Sequence, residues 1–311
     1  LERLYPKCAR NINGLFFKIV GMIPQRIYLS GGGTCAIAHI GALLELSNHI
    51  PLKAIKEWMG VSAGSLMAMC LCIGYTLKEL EEFCLKFDFT NIREYDSVPG
   101  WLLHFGIDTG ERLHKLLEAC LHVKGLSSEF TFKDCYDKFG ITLRVVATDL
   151  NDAKAIHYSP KSTPNYRIAD AVRASMSFPY YFQPHICPVS GHYLIDGGVI
   201  SNHPLFVLPK EEHSRTLSLL IYGEVEAMGD LIDAGIEDVI IRPIRMVLLA
   251  KQELEMKFYD AQIIKICLNK LNTLEFSLNE ETKNSIIETG KKAVVDHFKS
   301  KSKPKRRHSV S

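Results

Sequence analysis

Gly60-Val61-Ser62-Ala63-Gly64 sets a serine between two glycines, each two positions away. The run Ala54 to Met59 precedes it as an expected strand, and the uncharged run Ser65 to Ile73 follows as an expected helix. A Gly-x-Ser-x-Gly turn between strand and helix exposes the hydroxyl on a tight bend, ready to attack an acyl carbon. Helix-start amides and the positive end of the helix dipole then lie beside whatever the hydroxyl attacks. Such a nucleophile also needs an oxyanion site and a base, and two further motifs offer them. Gly31-Gly32-Gly33 follows a short apolar run and presents amides that no Cβ shields, suited to an oxyanion or to a phosphate. The dinucleotide fingerprint Gly-x-Gly-x-x-Gly survives here on spacing with Ala36 in its last place, but it gives Ser62 no purpose. Tyr193-Leu194-Ile195-Asp196-Gly197-Gly198 ends an apolar run on an aspartate followed by a sharp bend. Read singly, Asp-Gly-Gly also suits a hairpin or surface turn.

In this order the three motifs resemble the patatin-like phospholipase family, whose signature is a glycine-rich segment, Gly-x-Ser-x-Gly, then Asp-Gly-Gly or Asp-Gly-Ala. The likeness extends through His39-Ile40-Gly41, Ala147-Thr148-Asp149-Leu150, Ala174 to Pro179 with Phe182-Gln183-Pro184, and Asn202-His203-Pro204. It covers residues 27 to 205. The resemblance implies Ser62 as nucleophile, Asp196 as general base, and the amides of Gly31, Gly32 and Gly33 as the oxyanion hole. It implies no histidine in the catalytic pair and no metal or organic cofactor. An aspartate of ordinary pKa, about 3.9, is a weak base at neutral pH. Burial in an acyl-lined pocket is expected to raise it.

The function this implies is a lipid acyl hydrolase, a calcium-independent phospholipase A-type esterase working through an acyl-enzyme at a peripheral membrane or lipid-droplet surface. A triacylglycerol lipase or transacylase on the same fold, or a catalytically weakened lipid-binding scaffold, are the alternatives. One departure bears on the last. The family often carries arginine or lysine two residues after the third glycine and then another glycine, where this chain has Cys35 and Ala36. An α/β-hydrolase esterase with a full triad is a further reading, but only about two strands precede Ser62. His203, seven residues past Asp196, is its only candidate for the triad near that motif. His39 is expected to pack or to bond the glycine loop, and His185 and His192 to lie on a connection.

The elements that must hold these residues read as α/β. Ile27 to Ser30 is a strand, Thr34 caps a helix to Ser47, and Thr76-Leu77-Lys78-Glu79 is a capping box opening another. Asn91 to Trp101, with Pro99-Gly100, reads as loop, and Glu111 to His122 as a helix with Leu113, Leu116, Leu117 and Cys120 inward. Ile141 to Thr148 is the clearest strand, with Ala155 to Tyr158 as its returning partner. Ile168 to Ala174 reads as helix, Leu217 to Tyr222 as a core strand, and Pro243 to Tyr259 and Glu280 to Phe298 as long helices. Pro243 is expected at the first helical position. Together with the resemblance, this gives a three-layer α/β/α fold with a mostly parallel central sheet.

The domain expectation is an apolar or amphipathic segment over 1–24, one hydrolase domain over 25–298, and a basic disordered tail over 299–311. Within the domain, the core motifs span 27–205 and a C-terminal helical part 206–298. With 47% hydrophobic and 23% charged residues in 311, the composition is that of an ordinary globular chain. Gly14 to Ile23 is too short for a membrane span and lacks a cleavage site, so a buried first element is expected. Nine cysteines without a Cys-x-x-Cys pair suggest neither disulfide framework nor zinc site, and an intracellular, cytoplasmic location. Lys299, Lys301, Lys303, Lys305, Arg306 and Arg307 lie in the last thirteen residues, and without them 31 basic and 35 acidic residues remain. That tail suits attraction to anionic lipid, a nuclear-import address or a simple solvated end, and Arg306-Arg307-His308-Ser309 resembles a basophilic kinase site. No nucleic-acid partner is expected, and oligomeric state is open. Phe16-Phe17, Trp101-Leu102-Leu103 with Phe105, and Val247-Leu248-Leu249 are candidates for touching lipid. Core packing is the expectation for each, least strongly for the second.

Overall fold

A computed structural model describes residues 23–223, 236–259, 262–268 and 273–302. The 1–24 segment lies almost wholly outside the described residues, as does the tail from residue 303. The strands in chain order are β1 (Arg26–Leu29), β2 (Glu57–Val61), β3 (Gly106–Asp108), β4 (Thr142–Asp149) and β5 (Lys154–Tyr158). They continue with β6 (Tyr180–Phe182), β7 (His185–Ile186), β8 (Tyr193–Asp196), β9 (Thr216–Tyr222) and β10 (Gln262–Cys267). The helices are α1 (Ala38–Leu46), α2 (Ala63–Cys72), α3 (Leu77–Lys86), α4 (Val98–His104) and α5 (Glu111–Val123). After them come α6 (Phe132–Phe139), α7 (Ile168–Ser175), α8 (Lys210–His213), α9 (Ile236–Phe258) and α10 (Glu280–Ser302).

The main sheet runs β10-β9-β1-β2-β4-β8-β7, with β5 also on β4. Its first five strands are parallel, while β5 and β8 run antiparallel to β4. Strands of this kind are apolar on both faces because both are covered. On one face Ile27, Leu29, Trp58, Val145, Leu219 and Ile266 pack under α1, α2, α7 and α10. On the other, Tyr28, Met59, Val61, Val146 and Leu220 pack under Leu205, Leu208 and the end of α9 at Met256. The arrangement is the expected three-layer α/β/α, with the second helical layer thin.

Five sequence expectations shift. The strand before Ser62 starts at Glu57, not Ala54, because its parallel register with β1 begins at Arg26 opposite Glu57. It then runs through Gly60 and Val61 directly into the serine. Thr34 caps nothing. A 3-10 turn, Gly33–Ile37, precedes α1, and the Thr34 hydroxyl donates to the Thr273 carbonyl at 3.3 Å. The segment expected as loop contains α4, since the Ser97 hydroxyl accepts from Gly100 N at 3.2 Å and Pro99 lies in a first turn that needs no N–H from it. Pro243 lies inside α9, which begins seven residues earlier at Ile236. The C-terminal part is not only helical. Besides β9 it adds β10 to the sheet edge, and α10 extends to Ser302, into the segment expected as tail.

Candidate active site

Two strands bring distant residues together through a third. β2 pairs in parallel with β4, Val61 opposite Val146. β8 pairs antiparallel with β4, Asp196 opposite Ala147. β5 occupies the other edge of β4 from Val145 to Asp149, so β2 and β8 share one edge and meet end to end. Ser62, the residue after Val61, therefore lands against Asp196, the last residue of β8. The Ser62 hydroxyl lies close enough to the Asp196 carboxyl to favour its charged form.

Ser62 sits at φ 53° and ψ −135°, a region that costs energy for a residue with a side chain. The bend places its hydroxyl off the strand and makes it the first residue before α2. Backbone contacts hold the strain in place. Ser62 N donates to Ser175 Oγ at 2.9 Å, and that hydroxyl donates to the Val146 carbonyl at 2.6 Å. The flanking glycines are required by close approach: a Cβ on Gly60 would lie 2.4 Å from the Gly64 carbonyl oxygen, and one on Gly64 2.3 Å from that of Leu29.

Asp196 is buried, its carboxyl accepting from Gly198 N at 2.7 Å. Burial pushes its pKa up to about 7, partly offset by the nearby Ser62 hydroxyl and the bond from Gly198, which favour the charged form. A carboxylate so tuned matches the pKa of a general base at neutral pH.

The glycine segment follows β1, which lies beside β2, so it runs alongside Ser62 at the C-terminal ends of parallel strands. A Cβ on Gly31 would fall 2.8 Å from Ser62 Cβ. Its three amides do not share one role, however. Gly31 N donates to Asn202 Oδ1 at 2.9 Å, so that amide of the three expected donors is already engaged. The amides of Gly32 and Gly33 have no hydrogen-bond partner among the described residues. His39 accordingly serves the loop, its Nε2 at 2.9 Å from the Ser30 carbonyl, and burial lowers its pKa to about 4.

Sequence reasoning gave Asn202 no role, although it quoted the residue within a motif, and it missed Gln252. Asn202 Nδ2 donates to Gln252 Oε1 at 3.1 Å, and Gln252 Nε2 to the Ile221 carbonyl at 3.0 Å. This line of amides ties α9 to Gly31. A lone glutamine on an amphipathic helix carries no sequence signal for that. His203 is directed elsewhere. Its Nε2 lies 2.8 Å from Ser218 Oγ, its ring packs against Tyr28 and Tyr259, and burial lowers its pKa to about 3. The triad reading thus has no histidine at the pair. His185 lies in β7, and His192 Nδ1 approaches Asp149 Oδ2 at 2.9 Å.

Ser62, Asp196 and the three glycines open into a cavity of about 380 Å³. Toward α2, α3 and α5 its wall is apolar: Met67, Leu80, Phe83, Leu113 and Leu116, with the thiols of Cys70 and Cys120. From α9 come Arg245 and Gln252 beside the apolar Leu248 and Leu249. Among the described residues no helix is long and apolar enough to cross a membrane.

An α/β/α sheet with a strained Gly-x-Ser-x-Gly serine, a buried aspartate and an apolar pocket is an architecture suited to a hydrolase of lipid esters. The sequence model of the patatin-like phospholipases matches residues 27–209, and the chain belongs to that family. A probable lipid hydrolase, 463L, of Invertebrate iridescent virus 6 is 29% identical over 193 residues, 61% of this chain and 65% of that protein. A cGAMP-activated phospholipase of Escherichia coli is 24% identical over 58% of this chain and 53% of its own length. The uncharacterised YqhO of Bacillus subtilis is 26% identical over 85% of this chain and 94% of its own. Among solved structures, VipD from Legionella pneumophila superposes on 90% of this chain and 67% of its own with a TM-score of 0.62 at 18% identity, a likeness of fold.

Proposed function

We propose that the protein is a phospholipase A-type acyl hydrolase acting through a Ser62–Asp196 dyad, without calcium. The observation that carries this reading is the junction on one edge of β4, where the end of β2 sets Ser62 against Asp196, a buried carboxyl with a pKa near 7. In this scheme Ser62 Oγ attacks the ester carbonyl carbon as Asp196 takes its proton. The oxyanion that forms is received by the amides of Gly32 and Gly33, while Asn202 holds Gly31. Collapse expels the lyso-lipid alkoxide, which takes the proton from Asp196 and leaves the acyl group on Ser62. Water then attacks the acyl-enzyme with Asp196 again the base, releasing the fatty acid. The apolar wall between α2 and α5 takes the acyl chain, and its burial there supplies about 0.8 kcal/mol per methylene.

The working surface we propose is a lipid interface. Leu102 is 81% exposed and Leu103 70%, with Val98 and Phe105 also outward, so this group is not core as sequence reasoning favoured. It leads into β3, which pairs with β6, whose Phe182 lines the pocket. The expected contact at 247–249 divides: Val247 is exposed, while Leu248 and Leu249 line the pocket. An intracellular location is part of this proposal, in keeping with the eight unpaired cysteines among the described residues. A fluorescent fusion found only in the secreted fraction would contradict it.

The test compares wild type, Ser62→Ala and Asp196→Asn on a panel of phospholipids and neutral glycerides in chelator, with a fluorophosphonate as a label for Ser62. Hydrolysis and labelling are expected in the wild type and lost in Ser62→Ala. Activity that survives Ser62→Ala removes the dyad.

A further inference from the structure

The cavity at Ser62 is lined by two charged side chains among the described residues, Asp196 and Arg245. Asp196 is placed for chemistry. Arg245 comes from α9, far along the chain, and no motif points to it. Its guanidinium is half-buried and close enough to Cys35 for the two groups to perturb each other's charge. Cys35 occupies the position, two residues after the third glycine, where the resemblance notes that the family often carries arginine or lysine. A cation therefore lines the same cavity as the glycine segment even though the local sequence has lost one.

We propose that Arg245 binds the phosphate of the substrate, making the protein selective for glycerophospholipids over uncharged glycerides. This rests on the reading of Ser62 as the nucleophile. Three features converge on it. Two of the cavity's polar side chains, Arg245 and Gln252, come from α9, while the lining from α2, α3 and α5 is apolar apart from the thiols of Cys70, Cys84 and Cys120. The lipid then has one orientation, acyl chain toward α5 and headgroup toward α9. The helix is also fixed relative to the reacting atoms, because Gln252, two turns beyond Arg245 on the pocket-lining face, reaches Gly31 through Asn202. Finally, an arginine presents a planar fork of donors that matches phosphate oxygens, and a partly buried site strengthens that bond. In a glycerophospholipid the phosphate lies a few bonds from the scissile ester, so a cation beside the oxyanion segment can reach it. A di- or triacylglycerol offers this guanidinium no anion.

The experiment measures kcat/KM for phosphatidylcholine and for diacylglycerol of the same acyl chains in the same mixed micelles, with wild type, Arg245→Gln and Arg245→Lys. In parallel it measures binding of a short-chain diether phosphatidylcholine and the matching diether glycerol, neither of which can be hydrolysed. The ratio of the two kcat/KM values is expected to fall about 10- to 100-fold in Arg245→Gln, the size of a lost charge-assisted hydrogen bond. Arg245→Lys is expected to recover part of it, and the diether phosphatidylcholine to bind correspondingly more weakly to the Gln variant. A ratio that stays constant while both substrates fall together, or a Gln variant that binds the phosphate-bearing ether as the wild type does, overturns the assignment. If the wild type hydrolyses neither lipid and Ser62 takes no fluorophosphonate, the dyad has failed, and the ether-binding arm alone decides Arg245.

Discussion

Replacing Asp196 with asparagine is expected to abolish turnover and yet stabilise the fold at alkaline pH. The carboxyl moves from an ordinary 3.8 in the open chain to about 7 in the folded protein, with burial as the largest cause. Below pH 3.8 it is protonated in both states and costs the fold nothing. As pH rises toward 7 the unfolded chain ionises while the folded one resists, so stability is lost across that window, and the loss is complete above it. At about 1.36 kcal/mol per pKa unit, the full loss is roughly 4 kcal/mol, and at pH 5 it is nearer 2 kcal/mol. Asparagine escapes it, because its oxygen can still accept from Gly198 N and its amide can turn to the Ser62 oxygen. Urea or thermal unfolding of both proteins at pH 5 and pH 8 reads the difference, with the variant ahead by about 5 °C or more at the higher pH. Wild-type kcat/KM should meanwhile fall on the acid side of an apparent pKa near 7, because only the ionised carboxylate takes the serine proton. A variant less stable than wild type at pH 8, or a gap that does not widen with pH, refutes the account of Asp196 as a charge held in a dry site.

Other substitutions separate the roles of the neighbours. Gly31→Ala puts a methyl 2.8 Å from Ser62 Cβ and is expected to lower kcat at least about 100-fold with the fold retained, checked by kinetics and circular dichroism. Asn202→Ala frees the Gly31 amide and cuts the link to Gln252, so kcat is expected to drop about tenfold or more through a loosened glycine segment. His203→Ala should lower stability, since a buried ring bonded to Ser218 is lost, while kcat stays within about threefold. A loss of several thousandfold with the fold intact would restore the triad. Leu102→Asp with Leu103→Asp should weaken sedimentation with phospholipid vesicles and spare hydrolysis of monomeric short-chain ester, and unchanged vesicle binding would remove α4 from the interface.

The parts of the molecule that chemistry constrains locally were legible in the sequence. Ser62 needs glycine on both sides because β1 and the start of α2 crowd the bend, and that need is written at Gly60 and Gly64. The Thr76 capping box is likewise local, and both of its hydrogen bonds form. What the sequence did not disclose depends on partners far away in the chain. Gly31 looks like its two neighbours until Asn202, 171 positions later, takes its amide. The Pro99-Gly100 pair reads as a break, yet Ser97 caps the turn, and the Trp101 indole anchors it to the Asp96 carbonyl at 2.8 Å. A Thr131–Asp134 capping box marks the start of α6 and is likewise local.

The pairing of Ser62 with Asp196 follows from strand direction more than from any contact between them. A parallel neighbour ends where its chain must turn into a helix, and β2 ends there at Val61. An antiparallel neighbour on the same edge of β4 arrives from the opposite end, so β8 can stop only where β2 has already stopped. The two chain ends face each other across one residue step of β4, from Val146 to Ala147. That junction removes both strands from water. It therefore sets the distance from serine to carboxylate and the burial that lifts the carboxylate toward neutral pH. Shifting β8 by one residue would turn the Asp196 side chain to the other face of the sheet, because successive strand residues alternate. Register on a single strand thus controls both whether the carboxylate reaches the serine and how strong a base it is.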